Sequence, residues 1–184
     1  PRKLVVHRQE NWSCIVFTKT CIDMRHVTCE TCETCGHISY NYDPISIIYL
    51  PIPEIEGKNT TIYDCFDRFT QAEVLDGDNQ YKCEKCQTLT KAVRRESLYK
   101  TAKNLIVAFK RFDKSGGKNT TPIYFPLENL DISKYCKNGI SKKYNLKAIS
   151  NHVGGTNGGH YFSYIQNGDN WYNFNDMYVQ SLDK

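Results

Sequence analysis

The 184-residue sequence has no apolar run long enough to cross a bilayer. Its longest apolar stretches, around Ile45–Ile52 and Leu105–Phe109, fall far below the roughly 20 residues that a span requires. No apolar leader follows a basic N-terminus, which argues against secretion. There is also little excess of charge: 24 Lys and Arg stand against 20 Asp and Glu, and the dispersed net +4 makes no phosphate-binding footprint. No internal repeat is long enough for a solenoid. These absences predict a soluble intracellular chain, in cytoplasm or nucleus, that is a monomer and has neither a membrane nor a nucleic acid as partner.

What is present is ordinary globular composition, 40% hydrophobic and 24% charged, with nine cysteines. An odd number of cysteines cannot all pair internally, so a reason other than disulfides is needed. Three glycosylation-type triplets, starting at Asn11, Asn59 and Asn119, favour secretion, but such triplets arise readily by chance.

The first 28 residues carry no readable motif, with Ile15 and Phe17 the clearest apolar positions. The spacing of Ile62, Cys65, Phe66 and Phe69 predicts a short amphipathic helix, capped by Thr60 or Thr61. Strands are expected at Ile45–Leu50, Ala92–Leu98, Leu105–Phe112, Tyr144–Ile149, His160–Gln166 and Trp171–Phe174, from their β-branched and aromatic content. Lys114–Lys118 reads as a loop, and so does the glycine-studded run from Asn151 to Gly159. The chain is therefore α+β and strand-dominated.

Two Cys-x-x-Cys pairs, Cys32/Cys35 and Cys83/Cys86, offer four soft thiolates, the donor set that structural zinc prefers. Their wide separation predicts a metal that ties two distant hairpins together. Cys29/Cys32 has the same spacing as Cys32/Cys35, so either pair can serve, and Gly36 after Cys35 favours the second. His37 beside the knuckle is a weaker competitor. Reduced cysteines without metal are the plain alternative, and Cys14, Cys21, Cys65 and Cys136 read as packing residues.

His160 is delivered to the start of an aromatic strand whose hairpin partner ends at Asn175 and Asp176. A two-residue turn at Asn167-Gly168 sets His160 opposite Asn175, and a four-residue loop leaves them diagonal. Both registers put Asn175 on the face of His160 and point Asp176 the other way, unless a bulge intervenes. An imidazole held by an amide oxygen has its tautomer fixed and its other nitrogen free to take a proton from a nucleophile. Taken alone, such a histidine is more often a packed one, and His7, His26, His37 and His152 offer less.

Taken together, these stretches resemble the ubiquitin-specific proteases, papain-like thiol enzymes. The resemblance runs from about Thr28 to the end. It is carried by Cys32-Glu-Thr-Cys-Gly-His-Ile-Ser39, Tyr42-Asp-Pro44 and Leu50-Pro51; by Leu75-Asp-Gly-Asp78 and Tyr81-Lys-Cys83-Glu-Lys-Cys86; and by Asn104-Leu-Ile-Val-Ala-Phe-Lys-Arg-Phe112. Asn151-His-Val-Gly154, Gly158-Gly-His-Tyr161 and Trp171-Tyr-Asn-Phe-Asn-Asp176 complete it.

The resemblance implies a zinc-ribbon-like fingers subdomain, over about 22–112 with adjoining palm, and a papain-like palm over 113–184 carrying His160. It implies structural zinc on Cys32, Cys35, Cys83 and Cys86, since the family spacing to Asp43-Pro44 favours Cys32/Cys35. It further implies His160 as general base, Asn175 in the third triad position, Asp176 as an assisting acid, and ubiquitin and ubiquitinated proteins as partners. The family's nucleophile box has no match here, at Cys14 or Cys21, and the thumb and the closing strand are missing. The chain is thus expected to be a C-terminal part of a catalytic domain that hydrolyses (iso)peptide or thioester bonds at the ubiquitin C-terminus, inactive alone. An inactive ubiquitin-binding pseudoenzyme or split module is the alternative. A zinc-ribbon nucleic-acid binder is disfavoured by Glu30, Glu33 and Glu84 at the knuckles.

Overall fold

The computed structural model describes residues 12–17, 24–137 and 142–182; for 12–17 only the backbone is described. His7 and Cys21 lie outside the described residues, and so does the Cys14 side chain. Strands of three or more residues are β1 (Trp12–Phe17), β2 (Met24–Cys32), β3 (Ile38–Ile45), β4 (Ile48–Leu50), β5 (Glu73–Leu75), β6 (Ala92–Lys100) and β7 (Leu105–Phe109). They continue with β8 (Leu146–Gly155), β9 (Gly158–Asn167), β10 (Asn170–Asn175) and β11 (Tyr178–Leu182), and the α-helix among the described residues is α1 (Ile62–Phe69).

Two sheets carry the architecture. The larger runs β11-β10-β9-β8-β1-β7-β4, antiparallel except where β4 joins β7 with Val107 opposite Ile48. The smaller runs β3-β2-β6-β5, wholly antiparallel. The single strand expected over Ile45–Leu50 is instead two. The chain bends at Ser46-Ile47 as it leaves the smaller sheet for the larger one. Pro44 is tolerated in β3 because that strand is an edge, where only alternate N–H groups join the ladder.

Helix α1 forms where the periodicity placed it. Thr61 is the cap: its hydroxyl accepts from the Asp64 N–H at 3.3 Å, and the Asp64 carboxylate takes the Thr61 N–H at 2.8 Å. Ile62, Cys65 and Phe66 turn inward and are fully buried in the core that also contains Ile48, Leu50, Leu105 and Val107. Phe66 stacks on Tyr135 at 4.8 Å, so the segment around Leu130–Tyr135 is packed against the helix. The core continues along the larger sheet to Tyr164 and Trp171.

The far end of the smaller sheet is different. Val27, Cys32, Leu75, Cys83 and Ala92 are buried but belong to no part of that core. So small a patch holds a hairpin tip poorly without a further staple.

The Asp64 carboxyl is held down to about 2 by its bonds to Thr61 and Lys58. Its folded value lies below the ordinary 3.8, so its contribution is complete above about pH 4 and disappears as pH falls through 2. Thr61→Ala is expected to destabilise by about 1 kcal/mol at neutral pH, measured by denaturant unfolding, and by less at pH 2. Equal loss at both values would show that the Asp64 carboxylate adds nothing to the cap.

Candidate active site and metal centre

Each knuckle sits at the turn of a hairpin. The first joins β2 to β3, and the second lies between Tyr81–Lys82 and Leu89–Thr90, a two-residue pair leading into β6. Gly36 follows Cys35 at φ 68°, and Gln87 follows Cys86 at φ 60°, so both knuckles close through a left-handed residue. Only the first uses the residue type that suits it, since that conformation costs a non-glycine residue about 1–2 kcal/mol. Backbone bonds fix each turn: Gly36 N–H to Cys32 O at 2.9 Å, and Gln87 N–H to Cys83 O at 2.8 Å.

The result is a four-sulfur cluster of Cys32, Cys35, Cys83 and Cys86, all within 4.8 Å of one another. Cys32 and Cys86 sulfurs are 3.9 Å apart, and Cys35 and Cys83 sulfurs 3.7 Å. A tetrahedron with Zn–S bonds of about 2.3 Å has edges of about 3.8 Å, so the donor set and spacing suit a structural metal. Cys29 is not in the cluster. It lies inside β2, opposite Tyr40 on one side and Arg95 on the other. His37 contributes its backbone carbonyl, accepting from the Cys32 N–H at 2.9 Å, rather than its ring. The buried Thr90 hydroxyl lies 3.3 Å from the Cys32 sulfur and lowers that thiol to about 6, which favours the thiolate a metal needs. Thr90 was not legible in the sequence, because nothing in the knuckle spacing points to it.

In the larger sheet the run expected to be a loop before His160 is mostly strand. β8 extends through Gly155, the turn is only Thr156-Asn157, and β9 begins at Gly158. The glycines serve close approach instead: a Cβ on Gly159 would stand 2.3 Å from His152 Nε2 and 2.4 Å from the Val153 carbonyl oxygen. The next hairpin turns at Gly168-Asp169, not Asn167-Gly168, with Asn167 opposite Asn170 and Ser163 opposite Phe174. Asn175 is therefore diagonal to His160 on the same face.

His160 Nε2 lies 2.5 Å from Asn175 Oδ1. An amide oxygen only accepts, so Nε2 carries the proton and Nδ1 keeps a lone pair that can take another. His160 itself is exposed. Asp176 sits at φ 50° in the tight turn to β11, exposed, with Asn175 opposite Tyr178. That strand, β11, was not foreseen.

His152 is the residue that sequence reasoning undervalued. It is buried, and its Nδ1 lies 3.1 Å from Lys118 Nζ, with Tyr161 tilted against it at 4.5 Å and Phe112 edge-on at 5.8 Å. Burial and the Lys118 ammonium both push it below its ordinary value, so it is neutral. Between this group and the glycine hairpin lies an open groove of about 300 Å³ lined by Phe112, His152, Thr156, Gly158 and Tyr161. The other cysteines with described side chains do different work: Cys65 is sealed in the core with its thiol pushed up to about 12, and the Cys136 thiol donates to Ile132 O at 3.4 Å.

A model of the family described as ubiquitin carboxyl-terminal hydrolase matches residues 8–184. Among curated proteins, ubiquitin carboxyl-terminal hydrolase 2 of Gallus gallus is 37% identical over 158 residues, covering 83% of this chain and 44% of that protein. Ubiquitin carboxyl-terminal hydrolase 4 of Saccharomyces cerevisiae is 31% identical over 168 residues, covering 79% and 18%. The chain thus spans less than half the length of these relatives. Among solved structures, the Ubp8/Sgf11/Sus1/Sgf73 SAGA DUB module bound to monoubiquitin superposes with a TM-score of 0.76 at 28% identity. That match covers 90% of this chain and 38% of its counterpart.

The glycines of the hairpin are separable by their surroundings. Gly159→Ala is expected to cost about 1–3 kcal/mol, because its methyl meets His152 and backbone. Gly158→Ala has open space and is expected to cost under about 1 kcal/mol. Thermal unfolding of the two variants checks the ordering, and equal losses would contradict the close approach.

Proposed function

This chain belongs to the ubiquitin carboxyl-terminal hydrolase family, and we propose that it forms the fingers and palm of a thiol hydrolase that cleaves (iso)peptide or thioester bonds at the ubiquitin C-terminus. The observation that carries the reading is the His160 Nε2–Asn175 Oδ1 bond on an exposed rim beside an open groove. His160 Nδ1 takes the proton of a cysteine thiol; the thiolate attacks the carbonyl carbon at the ubiquitin C-terminus; and the imidazolium returns the proton to the leaving amine or thiol. Water then hydrolyses the acyl-thioester. Asn175 holds the imidazole in the productive tautomer, and Asp176, one residue further at the turn, is assigned an assisting electrostatic role.

The nucleophile is assigned to sequence outside this chain. The cysteines with described side chains support that assignment, being committed to the cluster, the core or the smaller sheet. Cys32, Cys35, Cys83 and Cys86 are assigned to one structural zinc, which when bound supplies a staple at the tip of the smaller sheet, the fingers. Ile38, Tyr40 and Tyr42 alternate along β3 and are exposed on one face, with Tyr99 packed edge-on against Tyr42 at 4.8 Å. That apolar face supports ubiquitin as the partner, as does the ubiquitin-bound state of the SAGA module.

Elemental analysis is expected to find one zinc per chain, contributing on the order of 10 kcal/mol to folding. Cys83→Ser/Cys86→Ser is expected to lose it and Cys29→Ser to keep it; retention in the double variant would overturn the ligand set.

In a complete catalytic domain carrying the nucleophile, His160→Ala is expected to lower kcat roughly a thousandfold or more while ubiquitin affinity, by calorimetry, holds. Asn175→Ala is expected to cost less, because it removes orientation and not the base. Full turnover without His160 would refute its role. Tight ubiquitin binding by the unaltered domain with no turnover would instead establish a ubiquitin-binding pseudoenzyme. The 184-residue chain alone is expected to bind ubiquitin without hydrolysing a ubiquitin-fluorophore substrate.

A further inference from the structure

The hairpin that presents His160 is anchored from outside its own sheet. Among the described residues, pairing of β8 with β1 ends at Asn151 opposite Trp12. Just beyond that point, Lys118 Nζ lies 2.9 Å from the His152 carbonyl oxygen, 2.8 Å from that of Gly154 and 3.1 Å from His152 Nδ1. An ammonium has three protons to donate, and here each has an acceptor. The two carbonyls flank Val153, whose register partner across the hairpin is His160.

Lys118 ends a loop that is itself rigid. Phe112 and Lys118 form a bridge across its base, and the Asp113 carboxylate takes the Ser115 N–H, the Ser115 hydroxyl and the Gly117 N–H at 2.6–2.8 Å. A Cβ on Gly117 would meet that carboxylate at 2.4 Å, so a larger residue there would have to push Asp113 out of these bonds. At its root Arg111, almost wholly buried, donates to the carbonyls of Asn119 and Thr121 at 3.0 Å. From the opposite side Thr156, at the hairpin turn, donates its hydroxyl to Gly116 O at 3.0 Å.

We propose that Lys118 is a positioning residue for His160, locking the loop 113–118 and the hairpin 152–161 into one unit that sets the imidazole against Asn175. The lock is an ammonium held by two carbonyls and a ring nitrogen of β8, so it ties the braced loop to the exposed rim. The proposal rests on the reading of His160 as the base, but its test does not need turnover.

The test uses the full 184-residue chain and two readouts: amide hydrogen exchange over 113–118 and 152–161, and the imidazole nitrogen chemical shifts of His160. Lys118→Met is expected to raise exchange in both segments together, about tenfold or more, the size of losing bonds to a charged donor. It is also expected to mix the tautomers of His160. Lys118→Arg, which keeps the charge and the donors, is expected to restore part of both. Unchanged exchange and unchanged His160 shifts in Lys118→Met, or an Arg variant no better than Met, would overturn the proposal. Should Lys118→Met fail to fold, Thr156→Val decides: joint loosening of the two segments supports the coupling, and loosening of one alone refutes it. An unaltered chain in which His160 lacks a proton on Nε2 would count against the base assignment, leaving the coupling to stand or fall on exchange.

Discussion

The register of one hairpin determines whether a site exists here at all. With Ser163 opposite Phe174, the side chains of His160 and Asn175 share a face and come within hydrogen-bond reach. A slip of one residue would send every side chain of β10 to the other side of the sheet and take Asn175 away from His160. The register is protected from both ends. Trp171 and Tyr164 are buried further along that same face, where a slip of β10 would turn Trp171 outward, and the two-residue turn at Gly168-Asp169 fixes Asn167 opposite Asn170. The pairing of His160 with Asn175 at the exposed end of this face is thus specified by burial further along the same face.

The two sheets solve the problem of order by different means. The larger one lies on a core built from α1, β4, β7 and the segment around Leu130–Tyr135, and apolar burial holds it. The smaller one runs out of core toward its tip, where the four sulfurs gather instead. Cys32 and Cys83 are themselves among the few buried apolar groups there, so the same residues that could hold a metal also make what little core the tip has. Its sheet still needs β6 to reach between the knuckles, since Cys32 pairs with Ala92 just after Thr90, whose hydroxyl touches the Cys32 sulfur.

The parts of the site legible in the sequence were those with a fixed chemical spacing. Four cysteines in two x-x pairs announce a metal-binding set, and the sums of positions across the hairpin put Asn175 on the face of His160 for a two-residue and a four-residue turn alike. The parts that were not legible depend on tertiary contact. Lys118 looks like one more polar residue of a glycine-rich loop, and only the folded chain brings it to carbonyls more than 30 positions away. The glycines around His160 read as loop because glycine disfavours strands. In the fold they pair across a hairpin, and the missing side chain of Gly159 makes room for the ring of His152. The strand expected across Ile45–Leu50 was broken for a similar reason, since residue preferences do not reveal that a chain changes sheets.

The two histidines of this hairpin, eight positions apart, show how environment separates one chemistry into two uses. His152 faces an ammonium, which can only donate, so its Nδ1 must accept and its proton resides on Nε2. His160 faces an amide oxygen, which can only accept, so its proton also resides on Nε2. The tautomer is the same, but the lone pair is not in the same state. On His152 it is engaged by Lys118 inside the fold, where a second proton would put two cations side by side. On His160 it is left open at the exposed rim, free to receive a proton. A histidine is a base only where its second nitrogen has been left without a donor, and in this hairpin that condition is met at His160 and blocked at His152.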